Sequence, residues 1–193
     1  MAEPLSRERI LEAALDILDR EGLAALSMRR LGESLGVEAM SLYNHVPNKA
    51  ALLDGIQERI LGRVEAPPKA RDWRAFARHQ ARALHRALCA HPNAISLFAR
   101  PAGTAAVFSR LDTYLGVLKK AGFAPLEALY VVQIVLSFVV GHAMWTVGAA
   151  HPSHALPAGK VVEETARYVH LYDPEDELEM GLDALLRGLR PKR

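Results

Sequence analysis

The chain has 193 residues, half of them hydrophobic and 24% charged, which is enough for a packed core and too apolar for global disorder. Lys and Arg number 24 against 22 Asp and Glu, and this near balance neither requires nor excludes nucleic acid as a partner. The single cysteine, Cys89, excludes an intramolecular disulfide and a cysteine-based zinc finger; with the charged opening "MAEPLSRERILEAALDILDR", which lacks a signal-peptide pattern, it predicts an intracellular, cytoplasmic protein.

The pattern is all-α, with no alternating strand segment of useful length. Pro4, Leu5 and Ser6 lead into a first helix whose Ile10, Ala14, Ile17 and Leu18 share one face, and Gly22 stands where a left-handed cap ends it. Ser27 caps a second, short helix with Leu31 and Leu35 inward, ended by Gly36. A third short helix is expected from about Glu38 to Val46. Asn48 caps a fourth, carrying Leu52, Leu53, Ile56, Ile60 and Leu61.

"EAPPKARD", Glu65 to Asp72, is the linker, because Pro67 and Pro68 cannot continue a helix. Longer helices are predicted beyond it at Trp73–Ala90, Thr104–Ala121, Pro125–Ala149 and Asp173–Leu189, with a short one over Lys160–His170. Pro92, Pro101, the Gly122–Pro125 corner and "HPSHALPAG" separate them. Ala128 to Ala150 carries no charge and is long enough to span a bilayer, but Gln133, Ser137, His142 and Thr146 interrupt it. A helix buried on all sides, or lying at a subunit interface, is the expectation, and no membrane partner is expected.

Ser27 to Val46 has the layout of a helix-turn-helix: a capped helix, a Leu-Gly-Val corner, then a second helix with a polar face. Leu42 and Val46 pin that second helix, leaving Ala39, Met40, Ser41, Tyr43, Asn44 and His45 outward, a face suited to a major groove. Arg29, Arg30 and Lys49 flank it as candidate phosphate contacts. From Met1 to Val64 there are 8 Lys and Arg against 10 Asp and Glu, so any DNA contact must be local rather than a general attraction.

The segment "RILEAALDILDREGLAALSMRRLGESLGVEAMSLYNHVPNKAALL", Arg9 to Leu53, resembles the tetracycline repressor (TetR) family of transcriptional regulators. "ALYVVQIVLSFVVGHAM" is similar to the family's long interface helix, and "DELEMGLDALLRGL" to its C-terminal dimer helix. The resemblance implies a helix-turn-helix DNA-binding domain at 1–64, a linker at 65–72, and a ligand-binding and dimerisation domain at 73–193. It implies a repressor that binds a palindromic operator as a homodimer and is released by a small organic effector. It places Ser27, Arg29, Ser41, Tyr43, His45 and Lys49 among the DNA-binding residues, with Ala39, Met40 and Asn44 at variable recognition positions.

Gln80, Arg100, Tyr114, Tyr130, Gln133, Ser137 and Trp145 are the candidate ligand-binding residues, amides, hydroxyls and aromatics within an otherwise apolar body. In "AISLFARPAG", Ser96 stands where tetracycline-binding members hold the drug's magnesium with a histidine, so a metal-chelated drug is not the expected ligand. No histidine pair has helical zinc spacing, and neither a metal site nor a cofactor is expected. The other function classes are a helical enzyme or a protein-binding adaptor. The first lacks a phosphate loop, a nucleophile elbow or paired carboxylates on an apolar face, and no catalytic residue is expected.

Overall fold

A computed structural model describes residues 4–65, 72–150, 168 and 171–192, and the described residues contain helices and no strand. The helices are α1 (Arg7–Glu21), α2 (Met28–Leu35), α3 (Ala39–Leu42), α4 (Lys49–Gly62), α5 (Trp73–Ala90), α6 (Ala105–Lys120), α7 (Pro125–Ala149) and α8 (Pro174–Gly188). A 3-10 helix, Pro92–Ala99, lies between α5 and α6.

Short polar side chains start most of them. Ser6, Ser27, Asn48, Asp72 and Thr104 each accept a hydrogen bond from the backbone N–H three residues on, at 2.8–3.3 Å. Gly22 and Gly36 end α1 and α2 at φ of 81° and 68°, backbone that a side chain rarely tolerates.

Two elements depart from the sequence pattern. The third helix, expected to Val46, is helical only through Leu42, and hydrogen-bonded turns carry it on, His45 and Val46 N–H both donating to the Leu42 carbonyl. Pro47 disfavours helical backbone at the residue before it. The stretch between Pro92 and Pro101 is not merely a break: the 3-10 helix there buries Ala94, Ile95, Leu97 and Phe98. The short helix expected at Lys160–His170 lies outside the described residues.

One core cluster runs without interruption from Ile10, Leu18 and Leu31 through Leu42, Ile56 and Ile60 to Leu88, Ile95, Val139 and Leu182. The N-terminal helices therefore share apolar packing with the body through α1 and α4. A smaller cluster joins Trp73, Leu118, Phe123, Val131 and Leu186 at the far end. His85 and His142, both buried, hydrogen-bond ring to ring at 2.9 Å and tie α5 to α7.

α7 is long and apolar enough to cross a membrane by length and composition, and among the described residues only one side of it is covered. Ala128, Val131, Val139, His142 and Ala143 are buried, while Leu126, Leu129, Tyr130, Ile134, Met144 and Trp145 are exposed. The described residues thus do not bury this helix on all sides. On α8, whose sequence is similar to the family's C-terminal dimer helix, Leu178, Leu182 and Leu186 are buried within the chain, while Leu185 and Leu189 are partly exposed. Gly181 allows the approach, since a Cβ there would lie only 2.3 Å from Cζ of the Phe138 ring of α7.

Candidate functional sites: an exposed short helix and an apolar cavity

α3 has four residues and buries one of them, Leu42, so it has no independent stability. Its position comes from its neighbours. A Cβ on Gly32 would lie 2.8 Å from the Val37 carbonyl oxygen and 3.2 Å from the Ala39 nitrogen, so glycine sets how closely α2 meets the turn. Val37 N–H donates to the Gly32 carbonyl at 3.0 Å, and Leu42 and Val46 seat the far end.

That seating leaves Met40, Tyr43, Asn44 and His45 exposed and Ala39 and Ser41 partly covered. Ser27 is exposed and caps α2, its hydroxyl oxygen accepting from Arg30 N–H at 3.1 Å. Lys49 opens α4 at the surface beside them. The Arg29 side chain is 89% exposed, with only the Glu33 carboxylate near it at 3.4 Å. Arg30 behaves differently. Its guanidinium holds both oxygens of Glu21, a fork that keeps the Glu21 carboxyl below its usual range and raises Arg30 further. Arg7 and Arg59 are likewise directed to carboxylates of these helices, Glu58 and Glu12, at 3.0 Å each.

The second feature is a cavity of about 300 Å³ between α4, α5, the 99–102 segment, α6 and α7. Its wall is mostly Leu, Val, Phe and Trp, with Phe76 set edge-on to Tyr114 at 5.2 Å. Gln80, Arg100, Tyr114 and Gln133 line it, as the sequence reading has them. Tyr130, Ser137 and Trp145 do not. They lie on the uncovered side of α7, where Tyr130 and Trp145 are 57% and 63% exposed. Helical spacing groups them on one face, but it cannot say whether that face looks inward.

The wall residues that went unnoticed in the sequence include Gln57, Phe76 and Arg110. Gln57 had a legible signal, as an amide set between Ile56 and Ile60 on an apolar face. The polar wall groups are largely committed to one another. Tyr114 O–H donates to Gln80 Oε1 at 2.7 Å, and Gln80 Nε2 donates to the Glu65 carbonyl at 3.1 Å. Burial pushes the Tyr114 hydroxyl above its ordinary range.

Several of these bonds hold α4 to the body. Gln57 Nε2 donates to the Leu97 carbonyl at 2.8 Å and the Arg100 carbonyl at 3.2 Å. Arg100 pairs with Asp54 at 2.7 Å, and Arg110 donates to the Leu61 and Val64 carbonyls at the end of α4. They lie at the C-terminal end of α4, where the Leu61 carbonyl accepts only from the closing turn, Val64 N–H at 3.0 Å, and a guanidinium is well placed there. Buried His91 adds a further link: one ring nitrogen meets Asp19 of α1 at 2.7 Å, the other Arg63 at 2.6 Å. A carboxylate on one nitrogen and a guanidinium on the other fit the tautomer that carries its proton at Nδ1.

Residues 10–56 match the family model for bacterial regulatory proteins of the tetR family, and residues 66–193 match that for the tetracyclin repressor-like C-terminal domain. The tetracycline repressor protein class D of Escherichia coli is 30% identical over 195 residues, covering 95% of this chain and 88% of its own. ActR of Streptomyces coelicolor, solved in complex with actinorhodin, superposes with a TM-score of 0.79 at 28% identity, covering 97% of each chain. A TetR variant from Acinetobacter baumannii, solved in complex with minocycline, gives a TM-score of 0.77 at 28% identity and 96% coverage of each. With an exposed helix-turn-helix, an apolar cavity behind it and both family models matched, the chain belongs to the tetR family of bacterial regulatory proteins.

Proposed function

We propose that this chain acts in the cytoplasm as a homodimeric repressor. It binds a palindromic operator through α3 of each protomer and leaves it when a small, mostly apolar organic molecule fills the cavity. The observation that carries the reading is the course of α4. This one helix starts at Lys49, directly after α3 and its turn, and supplies Gln57 and Leu61 to the cavity wall. A dimeric reader must hold its two recognition helices about 34–36 Å apart. A ligand that prefers a tilted α4 by about 1–3 kcal/mol changes that spacing and weakens operator binding by the same coupling.

The reading assigns DNA contacts to Ser27, Arg29, Ala39, Met40, Ser41, Tyr43, Asn44, His45 and Lys49. It assigns ligand contacts to Gln57, Gln80, Arg100, Tyr114 and Gln133. The uncovered face of α7, with Leu126, Tyr130, Ile134 and Trp145, supplies the subunit seam, because so much exposed apolar surface on one helix calls for a second copy. Among the described residues the cavity wall offers no imidazole or carboxylate, and Ser96 lies exposed outside it. The proposed effector is accordingly a mostly apolar organic molecule rather than a drug whose metal a histidine of this wall would hold.

The test is operator binding by fluorescence anisotropy, using a duplex selected by the protein from random sequence. Tyr43→Ala is expected to weaken binding at least tenfold, by about 1.4 kcal/mol or more, with an unchanged melting temperature. Full affinity in that variant removes α3 as the reader.

A further inference from the structure

We propose that Gln57 selects the effector, its carboxamide oxygen accepting a hydrogen bond from an O–H or N–H group on an otherwise apolar ring compound. The proposal rests on the reading that the cavity is the effector site. Gln57 is 3% exposed and sits on α4 between the buried Ile56 and Ile60. Its Nε2 donates to two carbonyls, Leu97 and Arg100, which settles the orientation of the amide, since the reverse orientation would set an oxygen against two oxygens. Oε1 is then left buried with no hydrogen-bond partner, the one such side-chain atom on the described wall.

The rest of the wall sharpens the requirement. Tyr114, Gln80 and Arg110 direct hydrogens at protein acceptors, and Arg100 is paired with Asp54. Gln133, at the exposed edge of the wall, donates to Ser137 at 3.3 Å, so the buried part of the described wall has its donors engaged and one acceptor unpaired. Buried unpaired acceptors are costly and rare, so a ligand that brings a donor gains where a capped analogue does not. A carboxylate at the same point would face a lone pair and be rejected. Because Gln57 belongs to α4, the bond forms on the helix that follows the DNA-reading turn.

A matched pair of probes tests this: 2-naphthol, which has the donor, and 2-methoxynaphthalene, which has the same rings and none. Both are titrated into the full-length chain by fluorescence, with affinities corrected for water-to-octanol partition. The wild-type chain is expected to prefer 2-naphthol by about tenfold, and Gln57→Leu to lose that preference while still binding 2-methoxynaphthalene. Equal affinities in the wild-type chain overturn the selector and leave the cavity reading standing. So does a preference that survives in Gln57→Leu. Binding of neither probe to the wild-type chain overturns both. Should the leucine variant fail to fold, the wild-type ratio alone decides.

Discussion

The arrangement of cations around α3 sets how strongly operator binding depends on salt. Arg29 and Lys49 face solvent beside α3, whereas Arg30 is held by Glu21. A homodimer then brings two phosphate contacts from each protomer, or four in all. At about −0.9 per phosphate, the slope of log affinity against log salt is about −3.6. Lys49→Ala removes a contact from each protomer and halves the slope to about −1.8. Between about 50 and about 200 mM KCl the wild-type affinity falls about 150-fold and that of the variant about 12-fold. Arg30→Ala leaves the slope near the wild-type value, because a guanidinium forked onto both oxygens of a carboxylate displaces few counterions from DNA, unlike Arg29, whose single, exposed 3.4 Å approach to Glu33 is readily exchanged for a phosphate. Anisotropy titrations of the selected duplex across that salt range give all three slopes. The reasoning fails if Arg30→Ala flattens the line as much as Lys49→Ala, or if the wild-type slope is steeper than about −7.

Gly32→Ala is expected to destabilise the chain by about 1–3 kcal/mol despite alanine's helix propensity, because the new Cβ meets backbone rather than a movable side chain. Urea denaturation checks it, and a variant as stable as wild type refutes the close-packed corner. Ile134→Asp places a charge on the uncovered face of α7 and is expected to yield monomer in sedimentation velocity at micromolar concentration; an intact dimer would move the seam elsewhere. Burial, with His142 and Arg86 nearby, lowers the pKa of His85. The folded chain therefore binds this proton less readily than the unfolded one, so its contribution is present above the ordinary histidine pKa of about 6.5 and is lost as pH falls below it. Melting temperature should decline below that pH, and less steeply in His85→Gln; equal declines would show that His85 is not the group responsible.

The fold was largely legible because its boundaries are chemical. Ser27, Asn48, Gly22 and Gly36 mark ends that local hydrogen bonding and backbone conformation enforce, whatever the chain does elsewhere. The outward residues of α3 were legible for a related reason, since Leu42 and Val46 leave only one way to seat a helix so short. The cavity was less so. Tyr130, Ser137 and Trp145 share a face of α7 with Gln133, and only the packing of α5 and α6 decides which part of that helix meets the interior. On α8 likewise, an apolar stripe states that something covers it, not whether the cover is the same chain or another, and Leu178, Leu182 and Leu186 find theirs within the chain. Arg110 was unreadable, because its partners are backbone carbonyls 46 and 49 residues away.

The unbroken core through α1 and α4 bears on domain exchange. A regulator whose reading helices hung from a flexible tether would let them be transplanted onto any relative. Here Asp19, Asp54 and Gln57 of the N-terminal helices bond to His91, Arg100 and the Leu97 carbonyl of the body. With α3 as the proposed reader, a chimaera that joins these helices to another member's body is expected to keep its operator preference and to lose obedience to the new body's ligand unless the partners at 91–103 travel with it. Specificity for DNA is portable in this chain; responsiveness is a property of the junction.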